Sequence, residues 1–178
     1  MNLYLRLIFT FFRAWRLPKL TVGDTLERQF RVLPNDLDIN GHMNNGRYMT
    51  IVDLMLMEYF ARIGFASILL KKSWRPMSGG SFISYRRGLA PFQSYRLRYK
   101  IEACDSHWNF MRFEFLDGDR VYARGYMKGA AVGKSGIVSN TETYAALGLP
   151  VLANAIPSAV SHWLTAEKAV MSAPWDLA

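Results

Sequence analysis

A single cysteine, Cys104, stands in the 178-residue chain. No disulfide can close within it, and a reducing, cytoplasmic compartment fits that usage. Carboxylates are scarce beside cations: 14 Asp and Glu against 22 Lys and Arg, a net charge of +8. That imbalance turns the chain away from cationic ligands and toward phosphate-bearing molecules, acidic carrier proteins or anionic lipid. Nucleic acid is set aside as a partner, because no RNP-type, zinc-finger or helix-turn-helix pattern accompanies the charge. His107 and His162 belong to no recognisable metal-ligand spacing, so no metal site is implied. Internal repeats and low-complexity tracts are absent. What is present is ample core material, 51% hydrophobic and 14% aromatic, in a length that suits one domain.

The first twenty residues read as a separate amphipathic helix, with residues 21–178 forming a single domain that ends in a helical extension. Asn2, Arg6, Thr10, Arg13 and Arg16 share one helical stripe, and Leu3, Tyr4, Leu5, Leu7, Ile8, Phe9, Phe11, Phe12 and Trp15 cover the rest. Arginines interrupt the apolar run and no small-residue cleavage site follows, so a secretory signal is not supported. The segment is also too short and too charged for an easy span, which needs about 20 predominantly apolar residues. Two readings stay open. The helix lies in a membrane interface, a peripheral contact through residues 1–16, or it caps its own domain or a partner subunit, in which case its aromatics should be buried.

Hydrophobic periodicity supplies the remaining elements. A strand is expected over 25–33, ending at Pro34, then a helix from about Asn44 to Gly64 that is apolar nearly all round and therefore buried on most sides. A shorter helix over 66–72 follows. Strands are expected over 81–89 and 95–102, where Tyr95, Leu97, Tyr99 and Ile101 alternate with Arg96, Arg98, Lys100 and Glu102. Trp108–Phe115 and Arg120–Lys128 form a hairpin about Asp117-Gly118. Residues 133–150 read as loop with a helical turn, and 157–172 as a C-terminal helix. An antiparallel sheet of about five strands wrapped around one long helix satisfies both the wet-faced strands and the all-round apolar helix, an α+β architecture.

One stretch has no packing explanation. Asp36, Asp38, Asn40, His42, Asn44 and Asn45 fall within the thirteen residues from Asp36 to Tyr48, just before the buried helix. The helix start offers unpaired amides and a positive dipole end, with Asp38 on the entry loop. A base beside an oxyanion site is the minimum apparatus for attack on a carbonyl. Without further context, Asp38 reads equally as a carboxylate complementing the helix dipole, and Asn44 and Asn45 as N-caps.

The same stretch resembles the hotdog-fold thioesterases, whose Asp-x-Asp-x-x-Gly-His-x-Asn-Asn-x-x-Tyr pattern is met by Asp36, Asp38, Gly41, His42, Asn44, Asn45 and Tyr48. It is similar to the plant acyl-ACP thioesterases, and more so to the thioesterase superfamily member 6-like proteins. Arg31-Val-Leu-Pro-Asn-Asp-Leu-Asp, His42-Met-Asn-Asn-x-Arg-Tyr, the Arg86-Arg87 pair and the Pro91-Phe92 step carry that likeness over roughly residues 25–165. The resemblance implies a hotdog fold and hydrolysis of a fatty acyl-CoA or acyl-ACP thioester without metal or other cofactor. It casts Asp38 as base or nucleophile, with Asn40 and His42 beside it. Asn44, Asn45, Gly46 and Tyr48 would form the oxyanion and substrate-binding wall, and Arg86 and Arg87 a phosphate-binding patch.

A homodimer or higher homo-oligomer is expected, because a five-stranded sheet leaves a free edge. The chain departs from the plant enzymes after Tyr85-Arg86-Arg87, where Gly88-Leu89 replaces a Glu-Cys pair, so a mechanism needing those groups is excluded. Asp53 and Glu58 on the long helix are expected to pair with arginines. Within the member 6-like group a weak or inactive acyl-binding protein at a membrane is the alternative of a different class.

Overall fold

The computed structural model describes residues 3–173, so Asn2 of the expected polar stripe lies outside the described residues, as do the side chains of Leu3 and Tyr4. Helix α1 (Leu3–Arg16) precedes strand β1 (Leu26–Arg31), and a 3-10 turn over Pro34–Asp36 leads into the motif loop. Helices α2 (Asn45–Arg62) and α3 (Phe65–Lys72) follow. Strands β2 (Arg75–Tyr85), β3 (Ser94–Cys104), β4 (Asn109–Asp117), β5 (Arg120–Gly133) and the short β6 (Gly136–Ile137) come next, then helices α4 (Asn140–Leu147) and α5 (Ser158–Ser172). The strands form one antiparallel sheet in the order β1-β3-β4-β5-β2, with β6 attached to β5. This is the expected α+β hotdog architecture.

The sheet curls around α2 because one strand face is apolar and α2 has almost no polar face. Tyr95, Leu97, Tyr99 and Ile101 of β3 and Phe113 and Phe115 of β4 are buried with Tyr48, Ile51, Val52, Met55 and Tyr59 of α2 in one core. Registry places Phe30 opposite Tyr95, rings stacked at 5.8 Å. The outward residues of β3 are tied down by charge. Glu27 pairs with both Arg96 and Arg98, and Lys100 with Glu102, so this row is a neutralised sheet face rather than a free basic patch. On the other side of the sheet α5 packs Val160 among Ala103, Phe110 and Tyr126, with Trp163 and Leu164 alongside.

Two segments differ from expectation. Strand β2 begins at Arg75 and ends at Tyr85, rather than running over 81–89. Pairing with β5 carries it through Pro76, Gly79 and Gly80 across a register shift; an edge strand tolerates proline and glycine that an inner one would not. Residues 133–150, expected as loop with a helical turn, hold β6 and a longer helical piece, the eight-residue α4, capped by the Ser139 hydroxyl.

Helix α1 departs furthest. It docks on the domain, yet its aromatics are not buried. Arg6 and Thr10 of its polar stripe face inward while Arg13 and Arg16 reach solvent: Arg6 Nη2 donates to Asp36 Oδ2 at 2.7 Å, and the half-exposed Arg13 still lies 3.5 Å from Glu58. Arg28 Nη1 donates to Thr10 Oγ1 at 2.9 Å and to Glu58 Oε2 at 3.0 Å. Glu58 is wholly buried and Arg62 approaches it at 3.6 Å, so three arginines meet one carboxylate, as expected for that residue. Burial pushes the Arg28 guanidinium down from its ordinary pKa, and Glu58 pulls it back up. A buried carboxylate stripped of water demands such partners. Asp36 and Glu58 recruit the basic stripe of α1 and leave its apolar face outside. Among the described residues no helix is long and apolar enough to cross a membrane.

Candidate active site

The motif loop closes on itself before α2 starts. Leu37 and Met43 form an antiparallel bridge. Between them the Asp38 amide donates to His42 O at 2.8 Å and the Gly41 amide to Asp38 O at 3.1 Å. Gly41 has φ of +72°, a conformation costly for any residue with a Cβ, and this fixes the turn. The Asp38 carboxylate sits inside that turn. Its Oδ1 accepts the amides of Asn40 at 2.9 Å and His42 at 3.3 Å, while Oδ2 takes no protein hydrogen bond among the described residues. One oxygen is held and the other is free. That is the geometry of an oriented base.

Asp36 does different work. It is buried, and its carboxylate takes Arg6 and the Leu33 amide on Oδ2, with Arg47 4.0 Å from Oδ1. Its carbonyl also accepts the Asn44 amide at 2.8 Å, so Asp36 joins α1, the loop and the start of α2.

The other expected site residues are gathered at the same end of α2, with two corrections. Asn44 is the N-cap, its Oδ1 accepting the Gly46 amide at 2.9 Å. The Gly46 amide is therefore occupied, and the Asn45 amide remains as a first-turn donor with no intrahelical acceptor. Tyr48 does not line an open surface. It is buried edge-on against Tyr85 and Phe115, with its hydroxyl accepting the Leu89 amide at 3.3 Å. Burial pushes its phenol pKa up. An aromatic at helical spacing on an all-apolar helix is drawn into the core first. Asn40 and His42 are exposed, as is Ile39 between Asp38 and Asn40. The His42 ring rests on Gly88, where a Cβ would come within 2.8 Å of His42 Cδ2. Gly88, which replaces the carboxylate of the plant enzymes, thus makes room for the imidazole. Arg86 and Arg87 precede it; both amides donate to Tyr122 O, and among the described residues neither exposed guanidinium is in an ion pair.

A second feature lies further along α2. A cavity of about 300 Å³ opens between the helix and the sheet, lined among others by Leu56, Met57, Phe60, Met111, Met127 and Leu147. None of the motif residues lines it. Among the described residues Asp53 is the cavity's one lining carboxylate; the residue is exposed to solvent, and desolvation by the protein around it pushes its carboxyl above the ordinary pKa of 3.8. Among the described residues the expected arginine partner is not there. Glu58, which faces α1, has Arg13, Arg28 and Arg62 within 4 Å. The cavity was not visible in the sequence as a site. Asp53 is the available signal, one of two acids on a helix apolar nearly all round and the one that no arginine joins in an ion pair among the described residues.

A profile of the thioesterase-like superfamily matches residues 32–164. The chain belongs to that superfamily. It is similar to protein THEM6 of Drosophila melanogaster, 27% identical over 141 residues covering 78% of this chain and 70% of that protein. Protein THEM6 of Xenopus laevis is 32% identical over 94 residues, 52% of this chain and 45% of its own length. Part of each relative therefore lies beyond the match. Among solved structures, the gentisyl-coenzyme A thioesterase BH1999 superposes with a TM-score of 0.60 at 18% identity, covering 68% of this chain and 98% of its own. A Staphylococcus aureus protein in complex with CoA, SAV2348, reaches 0.62 at 10% identity, covering 81% and 96%. Likeness at these identities establishes the shared hotdog fold.

Proposed function

We propose that the protein hydrolyses a fatty acyl thioester carried on CoA or on an acyl carrier protein. The observation that carries this is the Asp38 carboxylate, held through one oxygen by the Asn40 and His42 amides at the mouth of α2 and free at the other. In the reaction, Asp38 Oδ2 takes a proton from water as the water oxygen bonds to the thioester carbon. The carbonyl oxygen becomes an oxyanion beside the Asn45 amide and the positive end of α2. Collapse breaks the C–S bond, and the thiolate takes the proton from Asp38. The products are a fatty acid and a free thiol. Asn40 and His42 flank the reacting carbonyl, and Arg86 and Arg87 meet the phosphates of the carrier. No cofactor takes part.

The apolar cavity suits an acyl chain, with Met57, Met111 and Met127 adaptable to its shape. The outer edge of β2 has no partner strand among the described residues. Pairing of two such edges, or of two central helices, would make a homodimer of the cytoplasmic protein. Peripheral contact with a membrane through residues 1–16 belongs to the same reading, since it would bring lipid-borne acyl chains to the site.

A second reading has its own support. The cavity is lined by none of the motif residues, as a carrier that binds acyl chains without cleaving them would allow. A panel of acyl-CoA and acyl-ACP substrates with free-thiol detection separates the two. Multiple turnovers support hydrolysis; stoichiometric acyl binding without thiol release supports the carrier.

A further inference from the structure

Amphipathic helices on a domain surface ordinarily turn their apolar stripe inward. Helix α1 is turned the other way. Leu5, Ile8, Phe9, Phe12 and Trp15, at the i, i+3, i+4, i+7 and i+10 positions of one face, are all exposed, Trp15 at 84%. Phe11 adds to one flank. On the opposite face Arg6, Thr10 and Ala14 are buried against the domain. The orientation is fixed by the Arg6–Asp36 pair, the Arg28–Thr10 hydrogen bond and the approach of Arg13 to Glu58. Turning the helix over would leave Asp36 and Glu58 buried with fewer cations, a large penalty. The aromatics therefore stay outside while the helix stays docked.

The rim of this face bears one sign of charge. The described helix contains no Asp or Glu, Arg13 and Arg16 occupy its last turn, and Lys19 is exposed just beyond. A second copy of the chain would bring the same cations together on two proteins of net charge +8. An anionic lipid surface answers both features, accepting aromatic and aliphatic side chains below the headgroups and cations among them. We infer that α1 is a fixed lipid-docking face: its polar stripe remains latched to Asp36 and Glu58 while its apolar face enters the interface of an anionic bilayer. This gives a geometry to the proposed peripheral contact of residues 1–16. Docking and membrane binding are not alternatives here, because they use opposite sides of one helix. Through Arg6 and Asp36 the bound helix is tied to the motif loop, so the candidate site is held at a set height above the lipid.

The test uses the full chain and vesicles of phosphatidylcholine with or without phosphatidylglycerol. The intact protein is expected to float with the anionic vesicles, less so at high salt, and weakly with neutral ones. The triple variant Phe9→Ser, Phe12→Ser, Trp15→Ser should lose at least about tenfold in vesicle affinity, given that buried apolar area sets such binding. Its melting temperature should match the parent's, because the latch is untouched. Arg6→Gln should lower the melting temperature, and measuring its flotation alongside separates latch from face. Flotation and melting temperature need no turnover, so this result is independent of whether the protein hydrolyses thioesters; if it does, turnover of a water-soluble short-chain acyl-CoA should be unchanged in the triple variant. Failure of the intact protein to float, or equal flotation of the triple variant, would overturn the inference. So would a dimer of the intact protein that the triple variant dissolves without any vesicle binding, since the face would then belong to a second copy.

Discussion

Asp36 and Asp38 face opposite sides of one loop, and they show how a motif divides its labour. Asp36 points into the protein, where Arg6 and the Leu33 amide share its Oδ2 and solvent does not reach it. Asp38 points outward, with one oxygen fixed by the loop and one left open. The inner side holds α1, loop and α2 together; the outer side is where a substrate can come. Chemically identical residues two positions apart thus differ in kind, because one is dehydrated by its ion pair and the other is only oriented.

Removing the inner carboxylate should have the largest effect on folding. Asp36→Asn strands the buried Arg6, and breaking such a pair costs about 3–5 kcal/mol. For a chain of this size that corresponds to a fall in melting temperature of roughly 10 °C. A shift no larger than that of an exposed carboxylate would erase the distinction between the two aspartates.

The outer side is tested next through a residue that touches neither carboxylate. Gly88→Ala places a methyl group against the His42 ring, which must move. If His42 takes part in the chemistry, kcat should fall by about 10- to 100-fold, the scale that an ångström of misplacement carries, with the melting temperature little changed. Unaltered kcat would reduce His42 to a loop residue.

The cavity can be addressed separately from the loop. Ala130→Leu fills part of it and should lower kcat/KM for long acyl chains by about tenfold, given the ~1–3 kcal/mol at stake per methylene in such pockets. Short chains should be spared. Equal losses at every chain length would show that the cavity does not house the chain.

The smallest effect belongs to Asp53. Its folded pKa lies above the ordinary value, so between the two the folded state holds more protons than the unfolded. Stability contributed by this group therefore falls as pH rises through that window, and stays lower above it. Asp53→Asn should raise the melting temperature slightly at pH 7 and not at all below the ordinary carboxyl pKa of 3.8. A stabilising effect that persisted in acid would place its origin outside the ionisation.

The fold was legible because the patterns behind it are strong. The alternation of Tyr95 to Ile101, the turn at Asp117-Gly118 and the all-round apolar α2 each admit one simple solution, and together they give a sheet around a helix. Strand β2 is harder to read, starting and ending before the expected 81–89, because Pro76, Gly79 and Gly80 signal a loop locally, whereas pairing with β5 overrides them. The position of Asp38 on the loop before α2 was also readable. What it bonds was not, since that depends on Gly41 turning the backbone. Tyr48 fits the motif but is placed by packing. The inverted α1 was the least accessible: its stripe is plain in sequence, yet the direction it faces depends on Asp36 and Glu58, which lie far along the chain and meet it only in the folded state.

The most direct test of the account is the acyl-CoA turnover of Asp38→Asn, read by free thiol, beside its melting curve. The amide keeps an oxygen to accept the Asn40 and His42 amides but cannot take a proton from water. Turnover should fall by at least about 100-fold, the scale of general-base removal, while the melting temperature stays close to the parent's, in contrast to Asp36→Asn. Near-parental kcat in a correctly folded Asp38→Asn protein would contradict the assignment of Asp38.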